Sequence, residues 1–293
     1  MNGVWVEHLP LVGTAGRLTR SRALASRPGL SFIDTPGGPV RVRRAPCARG
    51  PRLLIACDGP NVIEHADALL SALDGQADVV LFEPPGTGAS VPARGFDFTI
   101  SAFADACAAV LEAVGPRVLV FPCYLGLVAQ AVALRVPSRV EALVLPQAPN
   151  FSDLGRWADV VDPRRLVRTP VVGQLLLGAR TRAIARGWYR ASTSDRRFRE
   201  PFIAAADEAF DFGGCFCLAS LMQGFDASPA PVVQAVPMRA AVVVGGKDRT
   251  HKHTNFGQTL PGAEVVRFDE CGHSPELEAP ERFAGWLLPW LAS

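Results

Sequence analysis

Residues Arg117–Leu145 read RVLVFPCYLGLVAQAVALRVPSRVEALVL. The stretch has the character of a buried strand, a sharp turn, an apolar helix and a second buried strand, with Cys123 on the turn. A strand that feeds a helix through such a turn lifts the turn residue to the top of a parallel sheet. Here that residue is a thiol.

Outward from this stretch the same alternation continues. Upstream, Leu30–Asp34 and Val40–Arg44 are short strand candidates around Pro36-Gly37-Gly38, a hairpin signal. Leu53–Cys57 and Asp78–Phe82 are continuous apolar runs, as in strands covered on both faces, with helical periodicity over Ile63–Leu73 between them. Phe103–Val114 reads as an apolar helix leading into the central stretch. Downstream, Arg239–Gly245 and Glu264–Phe268 are strand candidates, His253–Leu260 a helix between them, and Pro280–Leu291 a closing helix. Strands alternating with helices give parallel strands joined by helical crossovers.

Between Gln147 and about Pro237 the alternation stops. Helix-like pieces are punctuated there by Pro170, Gly187, Gly213-Gly214 and Pro229–Pro231. The predicted organisation is an N-terminal extension over 1–29, an α/β core over 30–146 and 237–293, and a helical cap over 147–236, inserted between the sixth and seventh strands.

A formal net charge of +2 supplies no electrostatic reason to expect nucleic acid as a partner. Val118–Leu134 is the strongest membrane candidate, but Pro122, Gly126 and Gln130 interrupt it. It falls short of the roughly 18 apolar residues a span needs. Without a signal-peptide pattern at the start, the expectation is a soluble cytoplasmic protein without membrane partners. The 7 cysteines show no repeated metal-ligand spacing, so no metal is expected, and buried thiols are their default state. No glycine-rich dinucleotide fingerprint is present, and no cofactor is expected.

Three positions carry the candidate chemistry. Cys123 lies on the turn already described. Asp248 ends VVVGGKD (Val242–Asp248), just after a buried strand. His273 lies in Phe268-Asp269-Glu270-Cys271-Gly272-His273-Ser274-Pro275, between a strand and the closing helix. With Glu83-Pro84-Pro85-Gly86-Thr87-Gly88-Ala89-Ser90 after an earlier strand, these residues resemble the capped α/β-hydrolase superfamily of esterases, thioesterases and C–C hydrolases. The resemblance spans nearly all of the chain after residue 30. It implies an α/β-hydrolase fold, with a mostly parallel sheet flanked by helices. It also implies that His273 is the general base and Asp248 the acid that orients it.

The family's elbow is G-x-S-x-G. With Gly126 as its last glycine, Tyr124 falls at the nucleophile position. Matching the following helix and strand without a gap puts Cys123 there, and this register covers more of the chain. A phenol titrates near pH 10, whereas a thiol at a helix N-terminus beside a histidine is expected to form thiolate near neutrality. Phe121 and Leu125 then replace the two glycines, and their bulk requires space in neighbouring elements.

The family's oxyanion hole implies two backbone donors. Tyr124 supplies one. In Asp58-Gly59-Pro60-Asn61, Pro60 has no N–H, so Asn61 is the expected second. His65 begins the next helix close by and is a candidate pocket residue, as are Trp157 and Trp188 of the aromatic-rich cap.

The expected function is acyl transfer or hydrolysis on an ester or thioester through a Cys123–His273–Asp248 triad and an acyl-cysteine intermediate. Its substrate would be a small acyl compound, free or bound to coenzyme A or a carrier protein, in specialised biosynthesis. The alternative is a non-covalent cyclase or lyase, or an inactive binding protein, on the same fold.

Overall fold

A computed structural model describes residues 3–9, 17–115, 117–231 and 234–293. The strands are β1 (Leu30–Thr35), β2 (Gly38–Ala45), β3 (Arg52–Ala56), β4 (Asp78–Phe82), β5 (Thr87–Gly88), β6 (Arg117–Val120), β7 (Val140–Pro146), β8 (Cys215–Phe216), β9 (Arg239–Gly245) and β10 (Glu264–Phe268). The helices begin with α1 (Arg20–Ala25), α2 (Asp67–Leu73), α3 (Ile100–Val114) and α4 (Leu125–Arg135). They continue with α5 (Phe151–Val161), α6 (Val172–Gly178), α7 (Thr181–Ser192), α8 (Arg196–Asp211) and α9 (Leu218–Ala227). The chain closes with α10 (Pro275–Glu278) and α11 (Pro280–Ala292).

Eight strands form one sheet in the order β1-β2-β4-β3-β6-β7-β9-β10. The hairpin β1–β2 and the β2–β4 pair are antiparallel; the other pairs of this sheet are parallel. Alternation along each strand divides the core. Leu54, Ala56, Val80, Phe82 and Leu119 pack on one face, with α3 and α4. Leu53, Ile55, Val79, Leu81, Val118 and Val120 pack on the other, with α2 and α11. Both faces are covered, which is why these strands read as continuous apolar runs.

The helices α5–α9 lie in the chain between β7 and β9. Within that stretch β8 pairs with β5, tying it to the loop after β4. The expected helix over His253–Leu260 does not form; a single turn, Phe256–Gln258, takes its place. Local polar groups compete with helix formation there. The Asn255 N–H donates to Asp153, and the Thr259 hydroxyl donates to the Ala148 carbonyl. No helix among the described residues is long and apolar enough to cross a membrane.

The chain passes from β3 to β4 on one side of the sheet and then crosses to β6 on the other. Such a reversal opens a crevice beyond the carboxyl ends of the strands. The loops after β3, β6, β9 and β10 all open toward that crevice.

Candidate active site

The elbow is built at its floor. After β6, Cys123 adopts φ 52°, a left-handed conformation rare for a residue with a side chain. Such a backbone costs on the order of 1–3 kcal/mol and persists only where surrounding bonds impose it. Here the Phe121 and Cys123 N–H groups donate to the Val144 and Pro146 carbonyls, and Gly126 N–H donates back to the Cys123 carbonyl. The positive φ belongs to Cys123, whereas Tyr124 has φ −59°.

The bulk at the two replaced glycines is absorbed by the core. Phe121 and Leu125 are fully buried, and the Phe121 ring lies 5.5 Å from that of Phe82. The close approach falls one position later. A Cβ on Gly126 would lie 2.4 Å from that of Ala148, so only glycine fits there.

Asp248 and His273 meet above the elbow. His273 Nδ1 lies 2.9 Å from Asp248 Oδ2. The same oxygen accepts from Gln147 Nε2 at 2.6 Å, while Asp248 Oδ1 accepts from the Thr250 N–H and hydroxyl. Gln147 Oε1 in turn accepts from the Gly245 N–H at the end of β9. Gln147 therefore fixes the acid to the sheet. Sequence reasoning missed it, since a lone glutamine after a strand carries no motif.

The histidine loop is held from the inserted helices. The His273 N–H donates to the Ser192 carbonyl at 2.8 Å, and a Cβ on Gly272 would stand 2.2 Å from the same oxygen. The Trp188 ring meets the imidazole edge-on at 5.0 Å.

With Nδ1 engaged, His273 Nε2 is buried and has no hydrogen-bond partner. Two groups flank it that the sequence did not single out. Asp58 Oδ2 stands 3.7 Å away, an ion-pair distance longer than a hydrogen bond. His251 stacks on His273 with ring centroids 5.2 Å apart and brings its Nε2 to 4.0 Å from the Cys123 sulfur. The sulfur and one ring nitrogen of each histidine lie within 4.8 Å of one another. No spacing rule links positions 123, 251 and 273, so this grouping is visible only after folding.

The electrostatics correct one expectation. Burial pushes the Cys123 thiol up to about 11, and the neighbouring Asp58 carboxylate adds to that, so the thiol does not ionise near neutrality. For His273 burial acts downward, but Asp248, Cys123 and Asp58 together hold it well above its ordinary value. Asp248 is lowered despite burial, because the charge and hydrogen bond of His273 favour its carboxylate. Burial, reinforced by charge on His273, pushes His251 down to about 3. Burial raises Asp58, with His273 opposing the shift.

Two further expectations need correction. The Asn61 N–H donates to the Asp58 carbonyl at 2.8 Å, closing its own turn, and is not free for an oxyanion. Gly59 lies against the cavity, and its N–H makes no hydrogen bond among the described residues. Tyr124 follows Cys123 at the start of α4 and lines the same cavity. His65 does not line the cavity. Its Nε2 lies 2.9 Å from the Phe202 carbonyl and 3.0 Å from the Tyr189 hydroxyl, joining the core to α7 and α8.

Above Cys123 lies a cavity of about 560 Å³. Asp58, Gly59, Cys123 and Tyr124 form its polar end; Leu154, Trp157, Trp188, Leu221, Met222 and Phe225 line much of the rest. Both tryptophans line this cavity. Trp157 stacks on His251 at 5.7 Å and meets Trp188 edge-on.

The family model described as "Alpha/beta hydrolase family" matches residues 53–286. The chain belongs to the alpha/beta hydrolase family. It is thereby an enzyme of that superfamily. Solved structures share the fold of this alpha/beta hydrolase at low identity. An epoxide hydrolase A from Mycobacterium thermoresistibile superposes with a TM-score of 0.73 at 16% identity, over 91% of this chain and 99% of its own. A putative acyltransferase from Salmonella enterica gives 0.71 at 15%, over 90% and 96%. A thermophilic esterase from Thermogutta terrifontis gives 0.63 at 20%, over 90% and 98%. No curated protein sequence matches the chain.

Proposed function

We propose that this alpha/beta hydrolase transfers or hydrolyses the acyl group of an ester or thioester through Cys123, with His273 as base and Asp248 as its orienting acid. The observation that carries this reading is the buried, unpartnered Nε2 of His273, anchored through Nδ1 to Asp248 beside a thiol on a left-handed turn.

The reaction starts from a neutral thiol and a His273 imidazolium flanked by two carboxylates. Asp58 takes the Nε2 proton from His273 and becomes a neutral acid, the form that burial favours. The freed imidazole then accepts the thiol proton as sulfur attacks the acyl carbonyl. The Tyr124 and Gly59 N–H groups and the neutral Asp58 carboxyl face the oxyanion that forms. When the intermediate collapses, His273 returns its proton to the leaving thiolate or alkoxide. Water or another acceptor then gives its proton to the neutral His273 as it attacks the acyl-cysteine. Collapse releases the acyl product, His273 returns that proton to the Cys123 thiolate, and Asp58 gives its own proton back to Nε2 to restore the starting state. The apolar cavity suits an acyl chain, and an acyl-cysteine is close in energy to a thioester, which favours a thioester substrate on coenzyme A or a carrier.

Asp58 motivates a second reading. A carboxyl group 3.7 Å from an unpartnered imidazole nitrogen, beneath a largely apolar cavity, is also a proton-transfer pair for a non-covalent cyclase or lyase. Intact-mass measurement after incubation with short acyl thioesters separates the two. Acyl transfer predicts one adduct on the wild-type chain and none on Cys123→Ala, whose turnover falls by about 10⁴-fold or more. Turnover by Cys123→Ala near the wild-type rate overturns the triad and selects the Asp58–His273 pair.

A further inference from the structure

Cys123, His251 and His273 form an arrangement that the triad does not require. A triad needs one imidazole at the sulfur, and here two rings converge on it. Each is fixed through the nitrogen that faces away from the thiol. His273 Nδ1 is held by Asp248 at 2.9 Å, and His251 Nδ1 lies 3.3 Å from the Thr254 hydroxyl. This leaves both Nε2 atoms for the sulfur: that of His251 at 4.0 Å from it, that of His273 buried and without a partner. All three side chains are buried, and Trp157 and Trp188 cover the two rings.

This is a soft, three-donor set with outer partners in place. Zinc binds thiolate at about 2.3 Å and imidazole at about 2.0–2.1 Å, which puts ligand atoms roughly 3.5 Å apart in a tetrahedral site. The observed separations, 4.0 Å for the sulfur to His251 and no more than 4.8 Å within the group, exceed that spacing, so the three side chains would draw together around an ion. A carboxylate behind one ligating histidine and a hydroxyl behind the other are the partners that fix imidazole tautomers in zinc sites. Asp58 Oδ2 lies 3.7 Å from the His273 Nε2, and Asp58 and Cys123 both line the cavity. Thiolate with imidazole selects zinc over magnesium or calcium, which prefer oxygen donors.

We propose that Cys123, His251 and His273 bind one zinc ion, and that zinc and an acyl substrate exclude each other at this site. On binding, the thiol and the His273 Nε2 each give up a proton, to solvent or in the second case to Asp58, so that the sulfur binds as thiolate and both histidines coordinate through neutral Nε2. The nucleophile and base of the triad are then both occupied. The binding half of the proposal stands independently of the acyl-transfer reading; the exclusion half rests on it.

The test uses the full chain, stripped with a chelator and titrated with zinc chloride, with cobalt(II) as an optical probe. The expected result is one equivalent of zinc bound and a thiolate-to-cobalt charge-transfer absorption, both lost in Cys123→Ser. His251→Ala should weaken zinc by more than the roughly 10–100-fold that loss of an outer partner costs, and Thr254→Val by about 10-fold. Near-UV circular dichroism confirms that each variant is folded, and the cobalt spectrum of the wild-type chain needs no variant. Absence of one-equivalent uptake, absence of the thiolate band, or unchanged affinity in folded Cys123→Ser overturns the site. Acyl-adduct formation should fall as zinc is added and return with chelator, while in His251→Ala the same zinc concentration should leave adduct formation where it was without zinc. Undiminished adduct formation by the zinc-loaded wild-type chain overturns exclusion. If no adduct forms under any condition, the triad reading fails, and the titration and cobalt spectrum still decide the metal.

Discussion

Two of the buried charge clusters among the described residues are built on opposite terms. Around Arg41, every charged group is hydrogen-bonded. Its guanidinium reaches Glu83 through Nε and Nη2, Glu64 through Nη2 and the Ala23 carbonyl through Nη1, all with fully buried side chains. Glu83 also accepts from the Ile63 and Ala89 N–H groups, which fixes the segments on either side of it. Around Cys123, by contrast, Asp58, His251 and His273 converge without closing their bonds, and His273 Nε2 is left unpartnered. A buried polar group without a partner costs on the order of 1–3 kcal/mol. The satisfied cluster holds shape; the open one holds reactive capacity, waiting for a substrate or an ion to complete it.

The comparison breaks most readily at Arg41. Arg41→Met leaves Glu64 and Glu83 buried without their cation and is expected to destabilise the fold by about 3–5 kcal/mol, read from urea unfolding. Removing a thiol whose bonding is the long, 4.0 Å approach of His251 Nε2, in Cys123→Ala, should leave stability within about 1 kcal/mol while abolishing the adduct. If the two substitutions cost the same stability, the distinction between the clusters fails.

His65 sharpens the same contrast as a satisfied titratable group. Burial pushes its imidazole down to about 4, below the 6.5 of an exposed histidine. As pH falls, the unfolded chain therefore takes up this proton first. The contribution of His65 is complete above about pH 6.5 and disappears between there and pH 4, for a total of about 3 kcal/mol. His65→Gln keeps hydrogen-bonding groups without titrating. Its unfolding free energy should change less with pH across that window than the wild type, and parallel curves would exclude this origin.

The smallest effect is expected where the two kinds of bonding meet. Gln147 is fully bonded yet serves the open site by holding Asp248. Gln147→Ala removes one donor to a carboxylate that keeps its other partners, worth about 1.5–3 kcal/mol, and should lower kcat/KM by roughly 10–100-fold. KM should change little. An effect confined to KM would assign Gln147 to substrate binding instead.

How far each cluster was legible in the sequence follows from where its partners lie. Asp248 and His273 could be read because the family resemblance places an acid after β9 and a histidine after β10, in that chain order. Cys123 could be read because a strand, a turn and a helix are local events. The Arg41–Glu64–Glu83 cluster left no trace, since an arginine in an RVRR run looks like a solvated edge until a helix and a loop close over it. Asn61 was misread for a related reason. Sequence showed that Pro60 lacks an N–H, but not that Asn61 spends its own on the Asp58 carbonyl. The thiol was misread too, because a helix N-terminus and a histidine suggest a low pKa, whereas burial beside Asp58 raises it.

The apolar runs and their spacing by themselves determined the parallel sheet, the interruption before β9 and the sharp turn at Cys123. These follow from periodicity and turn chemistry, which act over a few residues. Tertiary structure alone decided that Cys123 faces two imidazoles and a carboxylate. It also decided that Gly59, not Asn61, keeps a free amide, and that His65 joins core to cap instead of lining the cavity. Those outcomes depend on which distant groups satisfy one another after water is excluded, and that balance is set only when the chain has closed on itself.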